Sequence, residues 1–510
     1  MDRFRRFCIT SLAAFALGLP GCTGVTAPPA PQQTTQVAAL SSSEVNTVVQ
    51  AAAASVSNPL VIAVVDRAGR ILAVYRKANA PTTATGNFGN PDDANELAVG
   101  LARTAAFFSN NQAPLSSRTV RFISGIHFPP GVSNTSSAAL YGIENTNRGC
   151  SLNTAFTPGK AIPPATLING SSPGLGVITG KANNLDSDPT AANPGGVPLF
   201  KMGEAVGGVG VVAARMDVAE FASYSGANAG FLPSAIPDPG AVLIDGIALP
   251  FVLQTTQPSG TSSGTADGAY LVSPTSSPGP VPEGDLIPQR AGTVGGLSAA
   301  EVGSIVSNAI ATANITRAVI RLPLGQRTRM VIAVADLDGS LLALYRMPDA
   351  TVFSIDVAAG KARNMTYFNS STVNPNDLPG VPVGTAVTNR TISFGAQPLF
   401  PSGIDGSSRG PFFQLYLNDI GFSCSQGSQP PQSPIANQNG VVFFPGSEGL
   451  YRNGKLVGGL GVSGDGVEQD DFVTAGGAQG WEPPASMRAD QIMINGVRLP
   501  YQKFPRDPTQ

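Results

Sequence analysis

Lys361 and Arg363, two positions apart, and a run of acids at Asp465, Glu468, Asp470 and Asp471 are the residues whose types and spacing could do chemistry. The two cations could clamp a ligand carboxylate through charge-assisted hydrogen bonds, or form a solvated helix face. The acids suit a hard cation or iron. They equally suit the first turn of a helix, where negative charge complements the dipole, and that reading is preferred. Asp470 and Asp471 therefore stand as candidate metal ligands only. His127 is the single histidine, so a histidine-rich zinc site is excluded; it is a candidate haem or metal ligand, but the second copy has Leu399 at that position and an ordinary strand or loop residue is the preferred reading. Ser463, in Gly461-Val462-Ser463-Gly464-Asp465, looks like a nucleophile elbow, but the second flanking glycine is missing and the histidine precedes the serine. Gly208-x-Gly210-x-x-Ala213 mimics a dinucleotide fingerprint without a βαβ unit around it. No residue set is sufficient to argue catalysis.

The elements that must position these residues occur twice. VIAVVDRAGRILAVYR from Val61 reappears as VIAVADLDGSLLALYR from Val331. Further blocks recur in order: LSSSEV at Leu40 with LSAAEV at Leu297, and AVGLARTAAFF at Ala98 with AAGKARNMTYF at Ala358. Arg118-Thr119-Val120 matches Arg390-Thr391-Ile392, GEAVGGVGV at Gly203 matches GKLVGGLGV at Gly454, and DGIALPF matches NGVRLPY. The repeated unit is a domain of some 200 residues, far longer than a solenoid module. Ser41-x-x-Glu44 and Ser298-x-x-Glu301 are capping boxes that open helices. Val45, Val48, Val49 and Ala52, and likewise Val302, Ile305, Val306 and Ile310, fall at helical spacing. Two β-rich runs around Gly69 or Gly339 signal a hairpin, and a second helix follows near 98–108 or 358–368. Gly207-Gly208 and Gly458-Gly459 within β-type sequence predict a bulge or a close backbone approach. Alternation along a strand puts Tyr75 and Arg76, or Tyr345 and Arg346, on opposite faces, so at most one of each pair faces a pocket. The expected class is α+β, two tandem domains each with an antiparallel sheet flanked by helices.

The ends and the composition bound the setting. Arg3, Arg5 and Arg6 precede an apolar run from Phe7 to Leu19, shorter than a bilayer span. Leu19-Pro20-Gly21-Cys22 is similar to a bacterial lipobox, which makes Cys22 the lipidation site; signal cleavage near the same place is the alternative. Residues 1–22 are therefore expected to be a signal peptide and 23–38 a tether. Residues 39–254 and 297–505 would be the two domains, and 255–296 a Pro/Gly/Ser-rich linker. Long insertions are expected at about 157–196 and 426–439. Export makes a Cys150–Cys424 disulfide possible, though two separate thiols fit the sequence too. At 510 residues two domains are expected on size alone, and a net charge of −2 gives no basic footprint for nucleic acid.

The order of blocks resembles the GlcG/HbpS-like family, described as haem-binding or haem-degrading. The second copy carries the resemblance through Asp336, Gly339, Arg346, Ser354, Asp356, Lys361, Gly458, Gly459, Gly461, Ser463, Gly464 and Asp470. The first copy keeps Asp66, Gly69, Arg76, Gly207, Gly208 and Gly210, but has Leu101 for Lys361 and Val212-Ala213-Ala214 for Ser463-Gly464-Asp465. The resemblance implies profilin- or roadblock-like α/β/α domains paired as a covalent pseudo-dimer. It implies haem or another small ligand near the Gly-rich strand and second helix, met by Lys361, Arg363, Arg346, Ser463, Gly464 and Asp465. It would place the site in the second copy and leave the first as a structural half. Expected partners are the small ligand, a membrane reached only through the lipid anchor in the cell envelope, and a further copy or an envelope protein. The rival reading is a ligand-free lipoprotein serving as a docking surface.

Overall fold

The computed structural model describes residues 38–85, 91–123, 194–234, 241–244, 247–401, 404, 406–421 and 440–510. Cys22, His127, Cys150 and Cys424 lie outside the described residues, as do 1–37 and most of both expected insertions.

In the first half, α1 (Ser42–Ser55) leads into β1 (Val61–Asp66), β2 (Ile71–Arg76), β3 (Thr83–Thr85) and β4 (Pro91–Asp93). Then come α2 (Ala94–Phe108), α3 (Ser117–Ile123), β5 (Gly196–Lys201), β6 (Glu204–Val212), α4 (Met216–Ala227), β7 (Ala241–Ile244) and β8 (Ile247–Pro250). The connecting segment holds β9 (Ala269–Val272) and β10 (Gly284–Ile287). The second half repeats the plan with α5 (Ala299–Ile315), β11 (Val331–Ala335), β12 (Leu341–Arg346), α6 (Ser354–Phe368) and α7 (Asn389–Gly395). It adds α8 (Phe413–Gly421) and closes with β13 (Ser447–Arg452), β14 (Lys455–Ser463), α9 (Val467–Gly477), β15 (Met493–Ile494) and β16 (Val497–Arg498).

Each expected signal has a local cause that the structure shows. Ser41 and Ser298 close reciprocal capping boxes with Glu44 and Glu301, satisfying backbone donors that an open helix end would leave unpaired. The buried stripe of α5 runs through Val302, Ile305, Val306 and Ala309, with Ile310 only partly covered. Both hairpins pair in the same register, Val61 opposite Arg76 and Val331 opposite Arg346. Their turns need Gly69 (φ +79°) and Gly339 (φ +80°), a left-handed conformation that costs glycine little.

The two main sheets have the same antiparallel order. One runs β5-β6-β1-β2-β9, the other β13-β14-β11-β12-β10. Their fifth strands are β9 and β10, both from 255–296, so the expected linker completes an edge of each sheet. Glycines on alternate positions of β6 and β14 face the second helix: a Cβ on Gly208 or Gly210 would collide with the Ala102 or Ala98 carbonyl, and one on Gly459 or Gly461 with that of Ala362 or Ala358. Leu460, between the last two, points the other way, against Gly477 of α9. Each sheet is thus the middle of three layers, with α2 or α6 on one face and the α1–α4 or α5–α9 pair on the other.

One continuous apolar core draws on both halves, and a second cluster around Phe412, Tyr416 and Phe443 belongs to the C-terminal half. Where the halves meet, the Phe108 ring stacks on Phe353 at 4.1 Å and the Val352 amide donates to the Phe107 carbonyl at 3.0 Å. Residues 38–510 accordingly form one unit. Among the described residues no helix is long and apolar enough to cross a membrane.

Gly210→Ala and Gly461→Ala should each cost about 3 kcal/mol or more, because the new methyl meets backbone that cannot step aside. Gly303→Ala, in α5 with open space around it, should instead stabilise by about 0.5–1 kcal/mol. Urea denaturation of the three variants checks both signs.

Candidate functional site

Lys361 sits on α6 facing β14 and is fully buried. Its ammonium donates to the Val462 carbonyl at 2.7 Å and to the Asp470 carboxylate at 2.9 Å, and lies 4.7 Å from the centre of the Phe444 ring. Burial drives the pKa of Lys361 down, while Asp470 opposes the fall. Burial likewise raises Asp470 to about 7, against the pull of Lys361. Gly446 makes room for the pair: a Cβ there would stand 2.6 Å from the Asp470 Cβ and 2.7 Å from the Lys361 ammonium.

The other acids of the cluster diverge. Asp471, next in α9, pairs with Arg390 of α7 and accepts from the Gly446 and Lys503 amides at 2.9 and 3.0 Å. Asp465 pairs with Arg321 and accepts from the Arg329 amide at 2.8 Å; Arg321 reaches on to Asp349 at 2.6 Å. Glu468 pairs with Lys503 at the surface. Glu468 and Asp470 are the first-turn acids of α9 as expected, yet Asp470 is met by the buried Lys361 and Glu468 by the exposed Lys503. Among the described residues no group of three or more His, Cys, Asp or Glu side chains is arranged to hold a metal ion.

The remaining candidates are also engaged. The Ser463 hydroxyl lies 3.1 Å from that of Ser354, which lies 2.6 Å from that of Thr351. Gly464 packs against the Arg329 carbonyl and Met330. Arg363 is two residues from Lys361, about 200° around the helix. It therefore cannot share a ligand with Lys361; it reaches the Gly339 carbonyl at 2.8 Å on the hairpin turn. Neither expectation for Lys361 and Arg363 holds, since the side chains are neither solvated nor convergent. Arg346 donates to the Ala350 carbonyl at 3.0 Å and to Glu283 at 3.3 Å.

Residues 306–479 match the family model described as Haem degrading protein HbpS-like. This stretch is HbpS-like. The chain is also similar to the crystal structure of the Klebsiella pneumoniae protein ORFY, of family DUF336, at 20% identity and a TM-score of 0.23, covering 35% of this chain and 86% of that one. A second solved structure, a complex of PduOC with heme, aligns at 23% identity and a TM-score of 0.22, over 36% of this chain and 93% of the other. No curated protein matches the sequence.

Comparing the HbpS-like half with its N-terminal counterpart sorts the candidates. Arg103 reaches the Gly69 carbonyl at 2.9 Å as Arg363 reaches Gly339, and burial lowers both guanidinium groups to about 10. Arg76 reaches Ala80 at 2.8 Å as Arg346 reaches Ala350. Arg118 forms a buried pair with Glu220, at 2.7 Å, where the HbpS-like half has Arg390 and Asp471. These contacts fasten the hairpin, the strand exit and the third helix in both halves, so they serve folding. Arg390 and Arg321 were absent from the sequence candidates. The recurrence of Arg118-Thr119 as Arg390-Thr391 was the available signal for the first; Arg321 has none, because only the fold brings it to Asp465. Two buried pairs distinguish the HbpS-like half, Lys361–Asp470 and Arg321–Asp465, since Leu101, Ala219 and Ala214 stand at the positions of Lys361, Asp470 and Asp465.

Removing one member of the Lys361–Asp470 pair strands the other charge in a dry interior. Lys361→Leu alone should cost about 3–5 kcal/mol, whereas Lys361→Leu with Asp470→Ala should cost far less. A double-mutant cycle by denaturant unfolding checks this; additive losses would refute a coupled pair.

Proposed function

We propose that this protein binds haem or a comparable small molecule. The observation that carries the reading is the HbpS-like match over residues 306–479. PduOC, a similar fold, is recorded in complex with heme. The residues that the resemblance offers as a clamp do not fit a haem while their present contacts stand. Lys361, Arg363 and Arg346 are buried and already donate to protein oxygens, and Asp465 is spent on Arg321. The ligand is therefore expected to contact other residues, and the buried pair to act as scaffold.

Titrating the purified full-length protein with hemin should shift the Soret band. The Lys361→Leu/Asp470→Ala variant should keep that shift within about a factor of three in affinity, since roughly 0.7 kcal/mol corresponds to that factor. A flat titration would sink haem binding and leave the ligand-free docking role, which the burial of the candidate residues favours.

We further propose export and lipid anchoring. The basic residues Arg3, Arg5 and Arg6, the apolar run to Leu19 and the lipobox-like Leu19–Cys22 support it. Cys22→Ser should move the protein from the membrane pellet to the soluble fraction on cell fractionation. Unchanged membrane association would refute the anchor.

A further inference from the structure

The register that aligns Gly203 with Gly454 also aligns Gly195 with Gly446, Val211 with Val462, and Ala219 with Asp470. The backbones agree: the Val211 amide donates to the Gly195 carbonyl at 2.8 Å, and the Val462 amide to that of Gly446 at 2.8 Å. Leu101 stands at the position of Lys361. In the N-terminal half the ion pair is thus replaced on both sides by apolar residues, and alanine returns less volume than the aspartate it matches.

The vacated space is a cavity of about 320 Å³. Leu101, Ala219, Gly195 and Val211 all line it, the four counterparts of the groups around the ion pair. Leu97 and Met216 extend the apolar wall, and among the described residues that line it Thr83 has the one polar side chain and none is charged. Leu97 and Leu101 are each 2% exposed, while Met216 is 41% exposed and marks the mouth. The wall cannot collapse inward easily, because Gly208 and Gly210 already hold the β6 backbone against α2. The volume is at the lower end of ordinary ligand pockets, and apolar cavities of this kind take up apolar molecules.

We infer that the N-terminal half contains a binding site for an uncharged, apolar small molecule, occupying the space that the Lys361–Asp470 pair fills in the HbpS-like half. Carboxylates, phosphates and metal ions are disfavoured, since among the described residues no lining side chain would offset their desolvation. The inference rests on the cavity and does not depend on the haem reading.

The test uses the neutral fluorophore N-phenyl-1-naphthylamine and the full-length chain carrying Cys22→Ser, so that no detergent competes for the probe. Saturable fluorescence enhancement is expected. Ala219→Leu, which fills the cavity without charge, should weaken it roughly tenfold or more. Leu101→Lys with Ala219→Asp, which installs the pair of the other half, should abolish it. No saturable binding would overturn the site, as would unchanged binding in both variants when each keeps the parent's circular dichroism and melting temperature. Hemin titration of Ala219→Leu separates the two readings. A retained Soret shift with lost probe binding supports a distinct site, and loss of both in a folded variant overturns that distinction.

Discussion

Everything else in the molecule hangs on how closely the Gly-rich strand approaches the second helix. At Gly208 and Gly210, and again at Gly459 and Gly461, no Cβ fits between strand and helix carbonyls. The helix therefore lies on the sheet backbone itself, closer than interdigitated side chains would allow. That contact fixes α2 on β6 and α6 on β14, and it sets how much room remains beyond the glycines, where the strand runs out beneath the helix. Position 101 or 361 faces that room from the helix, and position 219 or 470 closes it from α4 or α9.

Two occupants of one space follow from two pairs of residues. Lysine and aspartate fill it with a salt bridge, satisfied further by the Val462 carbonyl and covered by Phe444. A buried pair of this kind contributes little net stability against apolar residues of equal volume, yet it is costly to break from one side. Leucine and alanine keep the wall and forgo the filling. The half that carries the family match therefore has this space filled by the ion pair, and the divergent half leaves a cavity there. Lys361 stands in the sequence as a candidate ligand contact, because a lone cation does not announce that its counter-ion is 109 residues away and buried with it.

Much of the fold was legible in the residues. The capping boxes at Ser41 and Ser298, the hairpins around Gly69 and Gly339, and the Gly-Gly strands rest on local rules: a side chain reaching three residues along, a left-handed turn, a missing Cβ. The segment 255–296 escaped that reading. Its Pro, Gly and Ser content speaks for a linker, and only the free edges of β2 and β12 turn Ala269–Val272 and Gly284–Ile287 into strands. An edge offers unpaired backbone groups to whatever chain passes it, with little demand on side-chain type.

The candidate site was legible as a set of residue types and not as an arrangement. The sequence by itself determined the duplicated α/β/α plan, since capping, turn geometry and strand–helix contact are written in short windows and recur in order. The tertiary structure alone decided which charges meet. Arg321 with Asp465, Arg390 with Asp471 and Lys361 with Asp470 are each brought together from distant segments. The physical reason is desolvation: a charge taken into the interior must find its partner there, and the partner's place is set by packing across the sheet, which no spacing along the chain encodes.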